Sequence, residues 1–167
     1  MHNKYVLLSI LIITSVFLSG CIFDDNNNKP NQTIGPDFIP RTNLPPGFSF
    51  MGVHDTTKDI ANSTFNMSEG VYRYGGEDIY IQAIKNDNAD VLLSKYKEEL
   101  RQKFVSDYNP FEEITLNGHS ATKYSDIRHV DGKRLYSIIW VNKGYLIQVG
   151  SFADFVTVIS LATATGY

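Results

Sequence analysis

Three turn signals in close succession, all in the second half of the sequence, constrain the fold more than any other feature. Asn117-Gly118 is the pair most typical of a tight hairpin turn, Asp131-Gly132 is of the same kind, and Asn142-Lys143-Gly144 follows. Short runs rich in β-branched and aromatic residues flank these turns, at 114–116, 121–127, 135–141 and 145–149. The pattern predicts an antiparallel β-meander.

Strand-like segments also precede the meander. Val71–Tyr74 and Ile79–Ile84 flank Gly75-Gly76, which predicts a hairpin, and Phe48–Phe50 alternates like a first strand. The residues from His54 to Ser68 are mostly polar, with scattered apolar side chains, and are interpreted as irregular.

Two segments have helical periodicity. The first is capped by Asp87 or Asn88 and is over by Asn109-Pro110, with apolar residues at helical spacing: Ala89, Leu92, Leu93, Tyr96, Leu100 and Phe104. Ser151–Asp154 has capping-box spacing before the last apolar run, which predicts a closing helix, with a terminal strand as the alternative. We therefore expect an α+β fold, an antiparallel sheet (hairpin plus β-meander) with about two helices packed on one face.

The run Leu135–Val141 is apolar on both faces, although an antiparallel strand with one wet face should alternate. Tyr136, Ile138 and Trp140 share one of these faces. Two interpretations remain open. Either residues 54–70 or the final helix cover this face, or its side chains form a shallow exposed patch that binds a partner or a small ligand.

The N-terminal segment predicts export. Lys4 precedes an uncharged run from Val6 to Leu18, and a run of this length suits a signal peptide better than a membrane span, which needs about 20 residues. Leu18-Ser19-Gly20-Cys21 closes the run and contains the only cysteine of the 167 residues. This order resembles the prokaryotic lipoprotein signal, the lipobox.

That resemblance implies that Cys21 carries a diacylglycerol and becomes the first residue of the mature chain. Because two acyl chains hold a protein at a bilayer far better than one, we expect a lipid-anchored domain on the extracytoplasmic side of the cell membrane. With Cys21 modified, no thiol remains for a disulfide, a zinc cluster or a nucleophile. The alternative anchor is an uncleaved helix over Tyr5–Phe23.

These features divide the chain into a signal peptide (1–20), a lipidated cysteine with a disordered linker (21–43) and one globular domain (44–167). The linker is rich in Asn and Pro and too polar to fold by burial. Glycosylation sequons begin at Asn31, Asn62 and Asn66, and their use depends on whether the host glycosylates exported proteins.

Composition and element order narrow the range of possible functions. A net charge of −3 argues against a nucleic-acid partner, and 43% hydrophobic residues are ample for one packed core. The element order of the domain, with its final meander and helix, resembles PsbP-type domains, which also occur in small secreted or lipid-anchored proteins. The resemblance implies a non-enzymatic accessory or binding module, and no cofactor is indicated.

Two groups of polar residues are candidates for metal or acid–base chemistry. One group lies near the meander turns and the other follows the first strand; they comprise His119, Asp126, His129 and Asp131, and His54, Asp55 and Asp59. Turn and loop residues are normally polar and solvated, which is the simpler explanation of both groups.

The main hypothesis is a surface lipoprotein whose domain binds a partner or a small ligand. The alternatives are a cell-envelope hydrolase that uses His and Asp of the meander turns, and a purely structural envelope protein.

Overall fold

The computed structural model describes residues 36–104 and 108–167. They form seven strands and two helices: β1 (Phe48–Ile60), β2 (Ser63–Tyr74), β3 (Glu77–Lys85), α1 (Ala89–Gln102), β4 (Phe111–Leu116), β5 (His119–Ile127), β6 (Arg134–Asn142), β7 (Tyr145–Phe152) and α2 (Phe155–Thr163). The described chain is mostly antiparallel sheet, as expected for the predicted α+β class.

All the described strands belong to one sheet, in the order β1-β2-β3-β7-β6-β5-β4. The meander β4–β7 is confirmed, and its first turn has positive φ at Asn117 (49°) and Gly118 (83°), a conformation these residues tolerate. β5 and β6 are joined by the six residues 128–133 and not by a tight Asp131-Gly132 turn. The two halves of the sheet are joined by the pairing of β3 with β7, in which Gln82 lies opposite Gln148.

The prediction that residues 54–68 are irregular is wrong. They form most of a long hairpin between β1 and β2, which turns at Ala61 and Asn62 with φ of 48° and 63°. β3 pairs with β2 only from Ser68 onward. The end of the hairpin, residues 56–67, therefore extends beyond β3, and we call it the arm.

Both predicted helices are present. α1 lies within the predicted bounds, and Asn88 is its N-cap residue. α2 is capped by Asp154, whose side chain accepts hydrogen bonds from two backbone N–H groups, whereas Ser151 belongs to β7 and is not the cap. Within the described ranges, no helix is long and apolar enough to cross a membrane.

The expectation that both helices pack on one face of the sheet is not confirmed. Leu92 of α1 belongs to the same buried cluster as Ile139, whereas Leu161 of α2 belongs to the cluster of Ile138. Since successive residues of a strand point to opposite faces, these neighbours on β6 assign the two clusters to different faces of the sheet.

The chain before β1 packs against the sheet. Residues 36–43, which we call the strap, were expected to belong to the disordered linker, but Phe38 and Ile39 are only 5% and 3% exposed. Tyr72 donates a hydrogen bond from its hydroxyl to the Pro40 carbonyl at 2.9 Å. A Cβ at Gly70 would lie 2.6 Å from Ile39 Cγ2, so the glycine allows this close approach. The packed part of the chain therefore begins before residue 44.

The first prediction concerns the strap. Phe38→Ala should lower the free energy of unfolding by about 3 kcal/mol, because it removes a buried ring that contacts the rings of Tyr145 and Tyr167. Asp37→Ala, at the exposed neighbouring position, should change it by less than about 0.5 kcal/mol. Urea unfolding followed by circular dichroism measures both, and equal midpoints for the two variants would contradict a packed strap.

Candidate functional site

The predicted patch of Tyr136, Ile138 and Trp140 is not an exposed surface. Ile138 and Trp140 are 0% and 1% exposed and share a buried cluster with residues of α2. The ring of Tyr136 is half-buried and lies 5.8 Å from that of Phe155 at the start of α2. The final helix therefore covers this face, as one of the two open interpretations had it. Trp140 Nε1 is buried without a hydrogen-bond partner in the described chain.

The structure does not assemble the candidate residues of the meander into a metal site. His119 is exposed at the start of β5, and His129 is exposed in the β5–β6 turn. Asp131 pairs with Arg128, whose guanidinium holds the pKa of that carboxyl well below its usual range. Within residues 36–104 and 108–167, no three His, Cys, Asp or Glu side chains are grouped to hold a metal ion.

The second candidate group is also dispersed. His54 Nε2 lies 3.1 Å from the Glu69 carboxylate, whereas Asp55 accepts a hydrogen bond from Ser68 and Asp59 accepts one from Thr64. Only His54 faces a carboxylate in this group. It belongs to a larger polar arrangement that the sequence did not reveal.

A row of polar side chains crosses four neighbouring strands on the face that α1 covers. His54, Glu69, Gln82 and Gln148 are consecutive partners in the register of β1, β2, β3 and β7. Gln82 Nε2 donates to Glu69 at 2.5 Å, and Gln148 Nε2 donates to the Tyr124 hydroxyl at 2.9 Å. Buried amides are tolerated because they are hydrogen-bonded in this way.

Lys58 of the arm joins this row beneath α1. Its ammonium donates to Gln82 Oε1 at 3.0 Å and to Gln148 Oε1 at 2.7 Å, and it lies 4.7 Å from the centroid of the Tyr96 ring. The Tyr96 hydroxyl donates to the same Gln148 oxygen at 2.8 Å. One charge thus links the arm to β3, to β7 and to α1.

Burial lowers the pKa of Lys58 from 10.5 to about 8, against the opposing effect of the Glu69 carboxylate. The cavity beside the amine has a volume of about 10 Å³ and is lined also by Met67, Ile84 and Leu146. A space of this size holds about one water molecule at most. We interpret this network as an internal connection of the arm and not as a ligand site.

A larger site lies between the arm and α1, where an open cleft of about 720 Å³ is formed. This volume is within the range of small-ligand sites, roughly 300–1,000 Å³. Most of the residues that line it are polar or charged: Asp59, Ala61, Asn62 and Thr64 from the arm, and Lys95, Glu98, Glu99 and Gln102 from α1. The four α1 residues form one stripe with i, i+3, i+4 and i+7 spacing.

Three carboxylates and one lysine give this cleft a negative charge. Asp59 Oδ1 accepts a hydrogen bond from Thr64 Oγ1 at 2.6 Å, and Glu99 Oε2 accepts one from the Ala61 N–H at 2.9 Å. The second bond holds the turn of the arm against α1 and so shapes the cleft. Glu98, which belongs to the same stripe of α1, is exposed. The charge of this lining favours a positively charged group.

The remaining predicted sites are the lipidation site and the three glycosylation sequons. Cys21 and Asn31 lie outside the described residues. Asn62 is exposed in the turn of the arm, and Asn66 is exposed on β2, so both sequons that the structure describes are accessible. Their use remains a prediction.

Comparison with known proteins adds no relative. No family model matches the chain, and no curated protein or solved structure matches it either. The resemblances to the lipoprotein signal and to PsbP-type domains rest on the residues and the element order alone.

The second prediction concerns Lys58. Between pH 8 and about 10 the unfolded chain binds a proton that the folded chain has lost, so the stability of the protein should rise with pH, by up to about 1.4 kcal/mol per unit. Lys58→Met should remove this rise, whereas Lys85→Met, at an exposed lysine, should retain it. Urea unfolding between pH 7 and 9 measures the slopes and stays about one unit below the ordinary pKa of tyrosine. Parallel slopes in parent and Lys58→Met would contradict the burial of this charge.

Proposed function

We propose that the chain is a membrane-tethered surface lipoprotein with a non-enzymatic binding domain, whose cleft between the arm and α1 receives a positively charged group. The observation that carries the binding part of the proposal is this cleft of about 720 Å³, with three carboxylates on its walls. Its polar lining suits a ligand that is held by hydrogen bonds and ion pairs.

The anchor part of the proposal is supported by the sequence around Cys21. The uncharged run before it, the small residues Ser19 and Gly20, and the absence of another cysteine all agree with a lipidated N-terminus. Residues 22–35 join Cys21 to the strap, and fourteen residues span at most about 50 Å. An anchored domain would therefore stay close to the membrane surface.

The third prediction tests the anchor. In the membrane fraction, intact mass and N-terminal analysis should find a mature chain that starts at a lipid-modified Cys21, and Cys21→Ala should abolish both the cleavage and the lipid. The variant Ser9→Ala, within the uncharged run, is the matched control and should be processed normally. A chain that starts at Met1 and does not respond to Cys21→Ala would instead indicate a helix anchor.

The fourth prediction tests the cleft, with spermidine as a polycationic probe. Spermidine should bind the full-length protein, and Glu98→Lys should weaken its binding about fivefold, because an attraction of up to about 1 kcal/mol is replaced by repulsion. Asp87→Lys changes the net charge equally at an exposed position outside the cleft lining and should have little effect. Isothermal titration calorimetry measures the affinities. Equal losses in the two variants would contradict binding in the cleft.

A further inference from the structure

The β5–β6 turn is an unusual surface. Val130 at its centre is 94% exposed, although turns normally present polar side chains. Ile127, which precedes the turn, and Tyr108 beside it are also large and exposed, at 41% and 40%. We call residues 127–134 the tip. Such a grouping of exposed apolar side chains, next to charged ones, is typical of a contact surface.

The charge of the tip is opposite to that of the whole chain. Residues 127–134 contain three cations, Arg128, Lys133 and Arg134, and a single carboxylate, Asp131, in a protein with a net charge of −3. Arg128 and Asp131 form a two-pronged ion pair, with Nε to Oδ1 at 2.9 Å, which stabilises the turn. Arg134 donates to the Tyr108 hydroxyl at 3.3 Å. Arg128 and Arg134, which flank the exposed Val130 in the sequence, are therefore each held by hydrogen bonds.

The base of the arm and the tip lie at opposite ends of the strands. Ser68, where the arm begins, is in register with Ala83, Ile147 and Trp140, whereas Arg134 begins β6 at its other end. Trp140 is six positions after Arg134, a distance of about 20 Å along a strand. In each chain the tip and the cleft are separate surfaces that share no lining residue.

We propose that the tip of one copy docks into the cleft of a second copy, so that the proteins associate head to tail on the membrane surface. This inference rests on the proposed function, because it names the positively charged group that the cleft receives. The basic, protruding tip is complementary in charge and shape to the acidic, concave cleft. In addition, Ala61 offers Val130 an apolar contact within the cleft lining.

Anchoring to a membrane makes a small contact sufficient. Tethered copies meet at a high effective concentration, so an interface smaller than that of a stable soluble complex is populated. Because the contact joins two different surfaces, it does not close with two copies and extends into rows. Because attraction between opposite charges supplies much of the affinity of this contact, the association should weaken as the salt concentration is raised from low to about 0.5 M.

Cysteine cross-linking in intact membranes tests this contact, since the sequence has only Cys21 of its own. Two differently tagged full-length chains are expressed together, one with Val130→Cys and the other with Asn62→Cys. Mild oxidation should give a disulfide dimer that contains both tags, several-fold in excess of the dimers that either chain forms alone. The parent pair, with Cys21 only, should give none.

Charge reversal then identifies the contact. Glu98→Lys in the Asn62→Cys chain should lower the yield of the mixed dimer about fivefold, and so should Arg134→Glu in the Val130→Cys chain. Together the two reversals should restore most of the yield. The matched controls Asp87→Lys and Lys85→Glu change the same charges at exposed positions outside both surfaces and should leave the yield unchanged.

Several results would overturn the proposal: no mixed dimer, a yield indifferent to both reversals, or losses that add when the reversals are combined. Sensitivity to Arg134→Glu alone would overturn it too, and would indicate that the tip binds anionic lipid or another acidic partner. Spermidine binding separates this inference from the proposed function. If spermidine binds the cleft and no mixed dimer forms, only the self-association is wrong; if neither occurs, both proposals fail.

Discussion

The central strands of the sheet bury apolar side chains on both faces, and the placement of the other elements depends on this constraint. On β6, Ile138 and Ile139 are adjacent, point to opposite faces and are both 0% exposed. Each face must therefore be covered. α1 covers one face, while α2 and the strap contribute side chains to the cluster on the other. The same constraint explains why Tyr136 and Trp140 pack beneath a helix and do not form a binding patch.

Local signals in the sequence are enough to predict the meander, the hairpin before α1 and both helices, because turn chemistry and periodicity act over a few residues. The arm was missed for a physical reason. Its turn is Ala61-Asn62, without glycine, and one face of its strands is solvated, so the segment resembles a polar loop. The strap was missed because Phe38 and Ile39 are two apolar residues in a segment whose average composition is polar.

The candidate site could be predicted only in part. Lys95, Glu98 and Gln102 are exposed on α1, as is typical of the polar face of an amphipathic helix. What the sequence could not reveal is that the arm stands beside this face and converts part of it into one wall of a cleft. That arrangement depends on contacts between distant positions, such as the bond from the Ala61 N–H to Glu99, which no local pattern encodes.

Lys58 helps to hold the arm beside α1, and the cleft exists only while the arm stays there. A buried ammonium costs stability compared with an apolar side chain of similar shape, so its presence calls for another explanation. A slip of β1 by one residue would turn Lys58 to the opposite face, away from the Gln82 and Gln148 oxygens that now satisfy it. A misplaced charge is penalised far more than a misplaced methylene, so this lysine favours one register of the arm over its neighbours. The row of amides thereby sets the position of the arm wall of the cleft, although it is not part of the cleft lining.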